Sequence, residues 1–495
     1  MVDYRTLIKK YFEEASFVQS NINSFNNFLE KDIQKIISES EEVIPTIIPK
    51  EIEILKIKFG KVAIKKPEVI EADGSRRKLY PFEARLRKLT YSASVYVDIN
   101  VNIDGTQKES FTTEIGKIPV MLKSKFCHLY NLKDEELIQH GEDPKDPGGY
   151  FILNGNERVV IIVEDLISNK LFVEENPSGA PSKYIARLFS EKGAYRVPHT
   201  IEQMKDGLMY LTFTRFRRVP IIAVIKALGL VKDQEIMNFI SSKKQHDSIY
   251  INLSDSVEIK TEEDAVEFLA RKIGIAQTKE ERLEKTREQL DKYLLPHLGI
   301  RQEDRIIKAY NLCKLIKKFL MTAEDKLGVV DKDHYMNKRL KLSGDLLDEL
   351  FRINFRTLIQ DIIYNFQRLV KRGKFQSIKI IIRNELLTSR IKSAFATGIW
   401  VGGRKGISQN IDRTNYLASL SHLQRVVSLL DSTQENFEAR ALHCTHFGRL
   451  CAVETPEGTP IGLRKNLALM SEITQEEHNE EKIKKAVEET GLIQK

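Results

Sequence analysis

The spacing of apolar residues changes along the chain, and each change predicts a different kind of element. Over residues 4–40, apolar side chains recur every three or four positions, which predicts two helices separated near Asn21–Ser24. Residues 51–121 alternate between apolar and polar side chains, which is typical of strands. Asp73-Gly74 and Asp104-Gly105 fall between such runs and predict hairpin turns, because these residue types tolerate the positive φ angles that tight turns require.

The rest of the chain mixes strands with helices. Two apolar runs within 148–165 predict buried strands joined by a turn at Asn154-Gly155. Residues 166–330 contain strands followed by helices, one of which begins with a capping box at Thr261. Residues 331–398 return to helical spacing. The pattern predicts a multidomain protein of the mixed α/β (α+β) class, and 495 residues suffice for two to four domains.

A concentrated positive charge precedes a glycine-rich stretch. Residues 368–405 carry ten basic side chains and one acidic one, a net charge of +9, whereas the whole chain carries +8. Such a local field suits a phosphate backbone, although a solvated basic face explains the charge alone equally well. Residues 455–458 (TPEG) and 459–462 (TPIG) have the proline and glycine spacing of type I turns. Two successive turns predict a rigid loop of the kind that often carries function.

Composition argues against several classes of protein. The four cysteines form no C-x-x-C pair, so the sequence does not predict a disulfide framework. The N-terminal residues contain acids and no apolar core, which is unlike a signal peptide. The apolar runs are shorter than a membrane span. We therefore expect a cytoplasmic protein without a membrane partner.

No self-sufficient catalytic site can be assembled from the sequence. It lacks the glycine-rich phosphate loops and the nucleophile elbow that a hydrolase would need. Asp331 and Asp333 are a weak candidate for holding Mg²⁺, and capping of the following helix explains them better. His443, His446 and Cys451, together with Cys444, are a weak candidate for a zinc site, because their spacing fits no usual zinc finger.

Several motifs, in family order along nearly the whole chain, resemble the second-largest subunit of multisubunit RNA polymerase in its archaeal–eukaryotic style. The motifs that resemble its fork region are SHLQRV at 421–426, FEAR at 437–440, HCTHFGRLC at 443–451 and ETPEGTPIGLRKNLALM at 454–470. Those that resemble its protrusion are LYPFEARLRKLTYSASVYVD at 79–98, IGKIPVMLKSKFC at 115–127, GGYFILNGNERVVI at 148–161 and DKDHYMNKRLKLSGDLLDELF at 331–351. Those that resemble its lobe are KALGLVKDQEI at 226–236 and LLPHLG at 294–299.

The resemblance implies three domains. Residues 1–165 and 331–398 would form a protrusion, which is discontinuous because a lobe, residues 166–330, is inserted into it. Residues 399–495 would form the fork. The family's subunit normally continues well beyond the fork, and some archaea encode it as two polypeptides. The chain therefore looks like the N-terminal half of a split subunit.

The resemblance also implies a nucleic-acid interface. At matching positions, Gln409, Asp412, Arg413, His422 and Arg425 would lie along the RNA strand of the RNA–DNA hybrid, and Arg440, His443, Arg449, Glu454, Glu457 and Lys465 would face the active centre. Residues 427–438 match a loop at the downstream edge of the melted bubble. The basic run adds Arg404 and Lys405 as candidates. Arg404, Arg425 and Arg449 are the candidates best suited to phosphate, because arginine can clamp it through two parallel hydrogen bonds.

Some of these side chains have equally simple structural explanations. Asp412 suits a partner of Arg413 or a helix cap as well as it suits a ligand contact. Glu454 and Glu457 are better explained as groups that orient arginines. The two histidines of the set could be satisfied interior groups.

The implied function is a share in template-directed RNA synthesis as a subunit of a nucleotidyltransferase that is inactive alone. The chain should hold no cofactor; Mg²⁺ in the assembled enzyme would be held by the largest subunit. The implied partners are the C-terminal half of the second-largest subunit, the largest subunits, small polymerase subunits, DNA template and RNA transcript, and general transcription factors. The alternative is a stand-alone nucleic-acid-binding or scaffold protein with the same fold and no polymerase assembly.

Overall fold

The structure is a computed structural model, and it divides the chain into two compact units. Unit 1 comprises Met1–Asp165 and Leu340–Lys495, and unit 2 comprises Leu166–Arg339. The model describes residues 4–14, 16–40, 42–49, 52–104, 106–176, 182–193, 195–240, 246–275, 278–323, 328, 330–373, 377–474 and 480–490. None of the helices within these ranges is long and apolar enough to span a bilayer. The assignment of protrusion, lobe and fork stays a prediction.

Helices and several sheets occur together, which confirms the predicted α+β class. The helices of unit 1 are Tyr4–Glu14, Gln19–Asn27, Ile33–Glu39, Pro81–Leu86, Asp134–Gln139, Ser343–Lys371, Ile378–Ile381, Asn384–Thr397, Tyr416–Leu423, Phe437–Arg440 and Glu480–Glu489. Its strands are Leu55–Lys65, Glu68–Ile70, Arg76–Lys78, Ser92–Ile103, Thr106–Pro119, Phe151–Leu153, Asn156–Val160, Ser408–Asn410, Arg425–Ser428 and Arg464–Asn466. Ile162–Leu166 and Lys338–Lys341 are strands at the two points where the chain passes between the units.

The predicted helix break at Asn21–Ser24 is wrong. Helix Gln19–Asn27 runs through both residues and continues through a π-helical turn into Ile33–Glu39. The two polar side chains are buried there because they cap another helix: Asn21 Oδ1 accepts from Ser343 N at 3.0 Å, and Ser24 Oγ accepts from Gly344 N at 3.2 Å. They satisfy the unpaired N–H groups that begin the long helix Ser343–Lys371.

The predicted hairpins are present where the structure describes them. Asp73-Gly74 lies between the paired strands Glu68–Ile70 and Arg76–Lys78. Asn154 and Gly155 form a two-residue turn with φ of +50° and +81°, the backbone that the Asn-Gly pair predicts. At the Asp104-Gly105 turn, Asp104 has φ of +49° and Gly105 lies outside the described residues.

Unit 1 builds its core on one antiparallel sheet. Its strands are ordered Leu55–Lys65, Ser92–Ile103, Thr106–Pro119. Strand Ser92–Ile103 alternates buried and half-buried residues throughout, so every second side chain enters the core. The π-helical turn Phe28–Asp32 and the helix Ser343–Lys371 supply aromatic side chains to the same core, where Phe28 and Phe351 meet edge to face with ring centroids 6.2 Å apart.

Two strands of unit 1 connect its early residues to the stretch with the candidate site. Asn156–Val160 pairs antiparallel with Ser408–Asn410. Ile162–Leu166 pairs in parallel with Arg425–Ser428, which in turn pairs antiparallel with Arg464–Asn466. The candidate residues therefore lie on strands, short helices and loops of unit 1 that are attached to its early residues.

Unit 2 combines a five-stranded antiparallel sheet with helices. The strands, in spatial order, are Phe216–Pro220, Met209–Phe213, Tyr195–Met204, Ser182–Lys192 and Leu171–Glu175. The helices are Ile221–Ala227, Asp233–Ile240, His246–Ser254, Glu262–Ile273, Lys279–Tyr293 and Arg305–Ala323. The predicted capping box is confirmed: Thr261 Oγ1 accepts from Asp264 N, and the Asp264 carboxylate accepts from Thr261 N, both at 3.1 Å.

Replacement of Gly344 by alanine is expected to destabilise unit 1. A Cβ at this position would lie 2.2 Å from the Ser24 carbonyl oxygen, which is backbone and cannot move aside easily. We expect G344A to lower the free energy of unfolding by about 1–3 kcal/mol, although alanine normally favours a helix. Urea denaturation followed by far-ultraviolet circular dichroism measures the change.

G328A is the matched control, because a Cβ at Gly328 would meet no atom within 4 Å. Equal effects of the two substitutions would contradict the close approach of helices Gln19–Asn27 and Ser343–Lys371.

Candidate nucleic-acid interface

The thirteen candidate side chains all lie in unit 1, between residues 404 and 465. Short elements with long connections position them. Strands Ser408–Asn410 and Arg425–Ser428 pair with residues 158–164, and strand Arg464–Asn466 pairs with Arg425–Ser428. The candidates differ in their partners. Most have side chains that are bonded to other groups of unit 1, and the others have at most one described hydrogen bond.

His422 is the centre of a buried polar network. Its Nδ1 accepts from Asp412 N at 3.1 Å, and its Nε2 lies 3.0 Å from Gln409 Oε1. An Nδ1 that accepts a backbone N–H carries no proton, so Nε2 carries the proton of a neutral ring. Burial, with the positive charge of Arg425, lowers the pKa of His422 to about 4. The ring is therefore neutral, and its two hydrogen bonds orient the Gln409 side chain and the Asp412 backbone.

Asp412 is one of the candidates with a local role. Its Oδ1 accepts from Thr414 N at 3.0 Å and from Thr414 Oγ1 at 2.7 Å. These two hydrogen bonds lower the pKa of Asp412, which stays ionised.

Arg413 is bonded to two carboxylates of the same unit. Its Nε donates to Glu157 at 2.7 Å and its Nη2 donates to Asp146 at 3.1 Å. The guanidinium also lies over the Tyr150 ring, 4.8 Å from its centroid. Glu157 accepts in addition from Arg85 Nε at 2.7 Å. Arg413 is thus one member of a charge network that holds its loop against the hairpin Phe151–Val160.

Arg404 and Lys465 also have carboxylate partners. Arg404 donates to Glu349 and to the Val401 carbonyl oxygen, so its charge is neutralised inside unit 1. Lys465 Nζ lies 3.1 Å from both carboxylate oxygens of Glu164, and both side chains are buried. A buried pair of this kind stays charged only because each partner compensates the other.

Arg440 binds backbone and no carboxylate in the described region. Its Nη1 donates to the carbonyls of Thr459 and Ile461 at 2.6 and 3.0 Å. Its Nη2 donates to the carbonyls of Ser432 and Gln434 at 2.9 and 3.1 Å. The guanidinium therefore connects the loop that follows strand Arg425–Ser428 to the loop that precedes strand Arg464–Asn466. We call this second loop, residues 455–463, the proline-rich loop because it contains Pro456 and Pro460.

The proline-rich loop differs from the prediction in register. The hydrogen-bonded turns run from Gly458 to Ile461 and from Pro460 to Leu463, each with a carbonyl–amide distance of 3.1 Å, and not over 455–458 and 459–462. The reason is Thr455: its Oγ1 accepts from Gly462 N at 2.9 Å and donates to the Arg464 carbonyl at 3.0 Å. The threonine side chain closes the loop and leaves its own residue outside the turns.

Gly462 is required by this closure. Its φ is +72°, and a Cβ would lie 2.3 Å from the Arg440 carbonyl oxygen. Only glycine suits both the backbone conformation and the space.

His443 and Glu454 have partners of their own. His443 Nδ1 lies 2.7 Å from Thr445 Oγ1 and accepts from Thr445 N at 3.2 Å. Glu454 accepts from Ser421 Oγ at 2.6 Å and from Asn466 Nδ2 at 2.8 Å. These hydrogen bonds hold the loops that contain His443 and Glu454 in place.

The remaining candidates are more open to solvent. Arg449 is exposed and donates only one described hydrogen bond, at 3.3 Å, to the Thr445 carbonyl. Lys405 and Glu457 are exposed and have no ion pair within the described ranges.

Arg425 differs from the other candidate arginines. It is half-buried on strand Arg425–Ser428, yet its guanidinium has no hydrogen-bond or ion-pair partner in the described part of the chain. Burial and the neighbouring Arg464 lower the pKa of Arg425. The strand register places Arg425 opposite Asn466 and Val427 opposite Arg464, so the two arginines share one face of the ladder. The like charges repel each other, whereas the nearby carboxylates of Asp412 and Glu454, neither of which is bonded to Arg425, act in the opposite direction.

Sequence reasoning missed Arg464. It directly precedes Lys465 in the motif GLRKN, and alternation along a strand would have placed its side chain on the opposite face from that lysine.

The weak metal candidates have other contacts. Lys338 Nζ lies 3.0 Å from Asp333, and Asp331 accepts from Asp333 N at 2.8 Å, so this pair of carboxylates organises a turn. Among the residues that the model describes, no three His, Cys, Asp or Glu side chains lie close enough to share a metal ion.

The low pKa of His422 predicts that acid destabilises unit 1. In the unfolded chain histidine titrates near pH 6.5, so between that pH and about pH 4 the unfolded state binds a proton that the folded state refuses. Stability is therefore complete above the unfolded pKa and is lost as the pH falls. From pH 7 to pH 5 we expect a loss from this residue of up to about 2 kcal/mol.

The single tryptophan makes the measurement specific. Trp400 is buried in unit 1, so its fluorescence during urea unfolding reports on that unit. H422N should reduce the pH dependence of the unfolding free energy. An unchanged dependence would mean that His422 is not the group that titrates.

Comparisons with known proteins show the family to which the chain is similar. The model of the RNA polymerase beta subunit family matches residues 16–389, and the model of RNA polymerase Rpb2, domain 3, matches residues 409–473. DNA-directed RNA polymerase subunit Rpo2N of Methanocaldococcus jannaschii is 42% identical over 488 residues, which are 96% of this chain and 97% of that protein. Rpo2N of Halobacterium salinarum is 38% identical over 99% of this chain and 96% of its own length.

Other relatives are longer. DNA-directed RNA polymerase subunit Rpo2 of Saccharolobus solfataricus is 41% identical over 492 residues, which are 98% of this chain and 43% of that subunit. This chain thus spans less than half the length of such relatives. The family resemblance of the sequence motifs is confirmed, and the chain belongs to the RNA polymerase beta subunit family.

Proposed function

We propose that the chain is the N-terminal part of the second-largest subunit of DNA-directed RNA polymerase and contributes one side of the cleft that holds DNA and transcript. The proposal rests on its similarity to relatives named Rpo2N over almost their whole length. Its partners would be the C-terminal half of the same subunit, the largest subunits, small subunits and general transcription factors.

The observation that supports a nucleic-acid interface is that the half-buried guanidinium of Arg425 has no hydrogen-bond or ion-pair partner in the described part of the chain. A half-buried guanidinium loses part of its hydration, and beside Arg464 it also experiences repulsion. A phosphate placed between the two arginines would remove both costs, because it accepts charge-assisted hydrogen bonds from each of them. We therefore assign the face of the ladder that carries Arg425 and Arg464 to the path of the RNA–DNA hybrid.

The bonded candidates would act differently. Arg404, Arg413 and Lys465 already have carboxylate partners, so a phosphate would have to compete for them. Arg440 is engaged by four carbonyls. These residues, together with the His422 network, would position the loops that border the hybrid. Arg449, Lys405 and Glu457 are exposed, so they would be accessible to nucleic acid.

In the assembled enzyme the chemistry would be nucleotidyl transfer with two Mg²⁺ ions that stabilise the attacking and leaving oxygens. We place those ions on the largest subunit. This chain would align the hybrid, since a fixed geometry lowers the entropic cost of the reaction.

Neutralisation of Arg425 tests the interface. In enzyme reconstituted with all subunits, R425Q should make elongation complexes dissociate faster. It should also reduce the salt dependence of their stability by roughly one unit in the log–log slope, the effect of one lost phosphate contact. Complex lifetime measured over a series of salt concentrations gives the slope.

R76Q is the matched control, because Arg76 is an exposed arginine of the same unit, on a two-stranded ribbon, without an ion pair among the described residues. If R425Q and R76Q leave the same slope, Arg425 does not contact the nucleic acid.

A second experiment separates a polymerase subunit from a stand-alone binding protein. The purified single chain is expected to incorporate no nucleotide, and native extract should yield it in complex with a large polymerase subunit. Nucleotide incorporation by the chain alone would contradict the division of labour proposed above. Isolation of the chain with nucleic acid but without other polymerase subunits would favour the scaffold alternative.

A further inference from the structure

A bulged hairpin in unit 2 sends two neighbouring arginines to its outer surface. Strands Met209–Phe213 and Phe216–Pro220 pair with a shift in register, so that Arg217 and Arg218 together oppose the single residue Thr212. Such a bulge redirects side chains, and here both arginines are exposed although strand neighbours normally point to opposite faces. Arg218 has φ of +44°, a conformation that is costly outside glycine and asparagine.

The two arginines have different environments. Arg218 Nε donates to Glu202 at 3.1 Å. Arg217 has no ion pair in the described part of the chain and lines a cavity of about 510 Å³. Of the two arginines at the bulge, Arg218 is therefore paired with a carboxylate, whereas Arg217 lines the cavity without an ion pair in the described part of the chain.

Other elements supply two more cations and an apolar surface to this cavity. Arg215 comes from the hairpin turn, where the adjacent Thr214 has φ of +42°, and Lys285 comes from helix Lys279–Tyr293. Ile273 and Ile275, at the end of helix Glu262–Ile273, are half-buried there. The described residues that line the cavity include three cations and no carboxylate.

This open cavity contrasts with its surroundings, where basic side chains are paired. Arg282 lies 3.4 Å from Glu267, and Arg287 lies 3.4 Å from Glu262, on the same two helices. Arg215, Arg217 and Lys285 have no such partner within the described residues, although five acidic side chains occur on helix Lys279–Tyr293 itself. Three unpaired cations around a mostly polar hollow that also contains two isoleucines are arranged for an anionic ligand with an apolar part.

The charge pattern argues against a nucleic acid as that ligand. Helix Lys279–Tyr293 carries equal numbers of acidic and basic residues, and helix Glu262–Ile273 carries more acidic than basic ones. A duplex would have to run past these carboxylates, whereas a short peptide can direct its own carboxylates to three cations only. An apolar side chain of the peptide would cover the two isoleucines.

We infer that this cavity, formed by Arg215, Arg217, Lys285, Ile273 and Ile275, is a docking site for a short acidic segment of a partner protein that carries an apolar residue among its carboxylates. All five residues belong to unit 2, whereas the residues of the proposed nucleic-acid interface belong to unit 1.

The test uses the full chain and a fluorescein-labelled peptide, Gly-Asp-Asp-Leu-Glu-Asp-Gly, in anisotropy titrations at low ionic strength. R217Q and K285Q should each weaken binding about two- to fivefold, the range expected for one solvent-accessible ion pair. R218Q removes the same charge from the neighbouring position and is the matched control, because its guanidinium bonds Glu202. It should change the affinity by less than about twofold.

Further arms identify the ligand class. A peptide with Asn and Gln in place of Asp and Glu should not bind, and inorganic phosphate and duplex DNA should compete poorly. The inference is overturned if R218Q weakens binding as much as R217Q does, or if the uncharged peptide binds equally well. It is also overturned if duplex DNA binds more tightly than the peptide in an Arg217-dependent manner. Lys285 is exposed on a helix, so K285Q keeps the test valid if the strained hairpin fails to fold in R217Q.

Discussion

The pairing of residues 156–164 with two much later segments is the constraint on which the candidate interface depends. One part of this stretch pairs with Ser408–Asn410 and the next with Arg425–Ser428. A shift of one residue between strand Arg425–Ser428 and residues 162–164 would turn the side chains of that strand to the opposite face. Arg425 would then enter the protein, and the Glu164–Lys465 pair would separate. The ion pairs of Arg413 with Glu157 and Asp146 stabilise the same register from outside the ladder.

Within this frame, residues of one chemical type divide into two roles. Arg404, Arg413 and Arg440 use their donors inside the protein, where they fix loops. The guanidinium groups of Arg425 and Arg464 have no described hydrogen-bond or ion-pair partner, and they lie on one face. The distinction matters because a charge that is already compensated adds little to the attraction of a phosphate, whereas an uncompensated one adds its full value. The proposed interface therefore contains fewer basic residues than the positive charge of the sequence indicates.

Local signals in the sequence predicted local structure well. The Asn154-Gly155 turn and the Thr261 capping box depend on residues within a few positions of each other, and both are present. The strand alternation over 51–121 is likewise a property of the segment itself. The misplaced helix break has a different origin, because Asn21 bonds a residue that is distant in sequence. The partners of the candidate arginines could not be predicted for the same reason: periodicity does not reveal which carboxylate or carbonyl will lie opposite.

The clamp at Arg440 has a consequence for which residues the position can accept. Its planar group presents donors in two directions, and four carbonyls from two loops occupy them. Lysine has the same charge, but its three protons radiate from a single nitrogen, which cannot serve both loops at once. A lysine at position 440 would thus keep the charge but would no longer connect the two loops, which could then shift independently. What the position requires is the shape of the guanidinium group, and its charge is secondary.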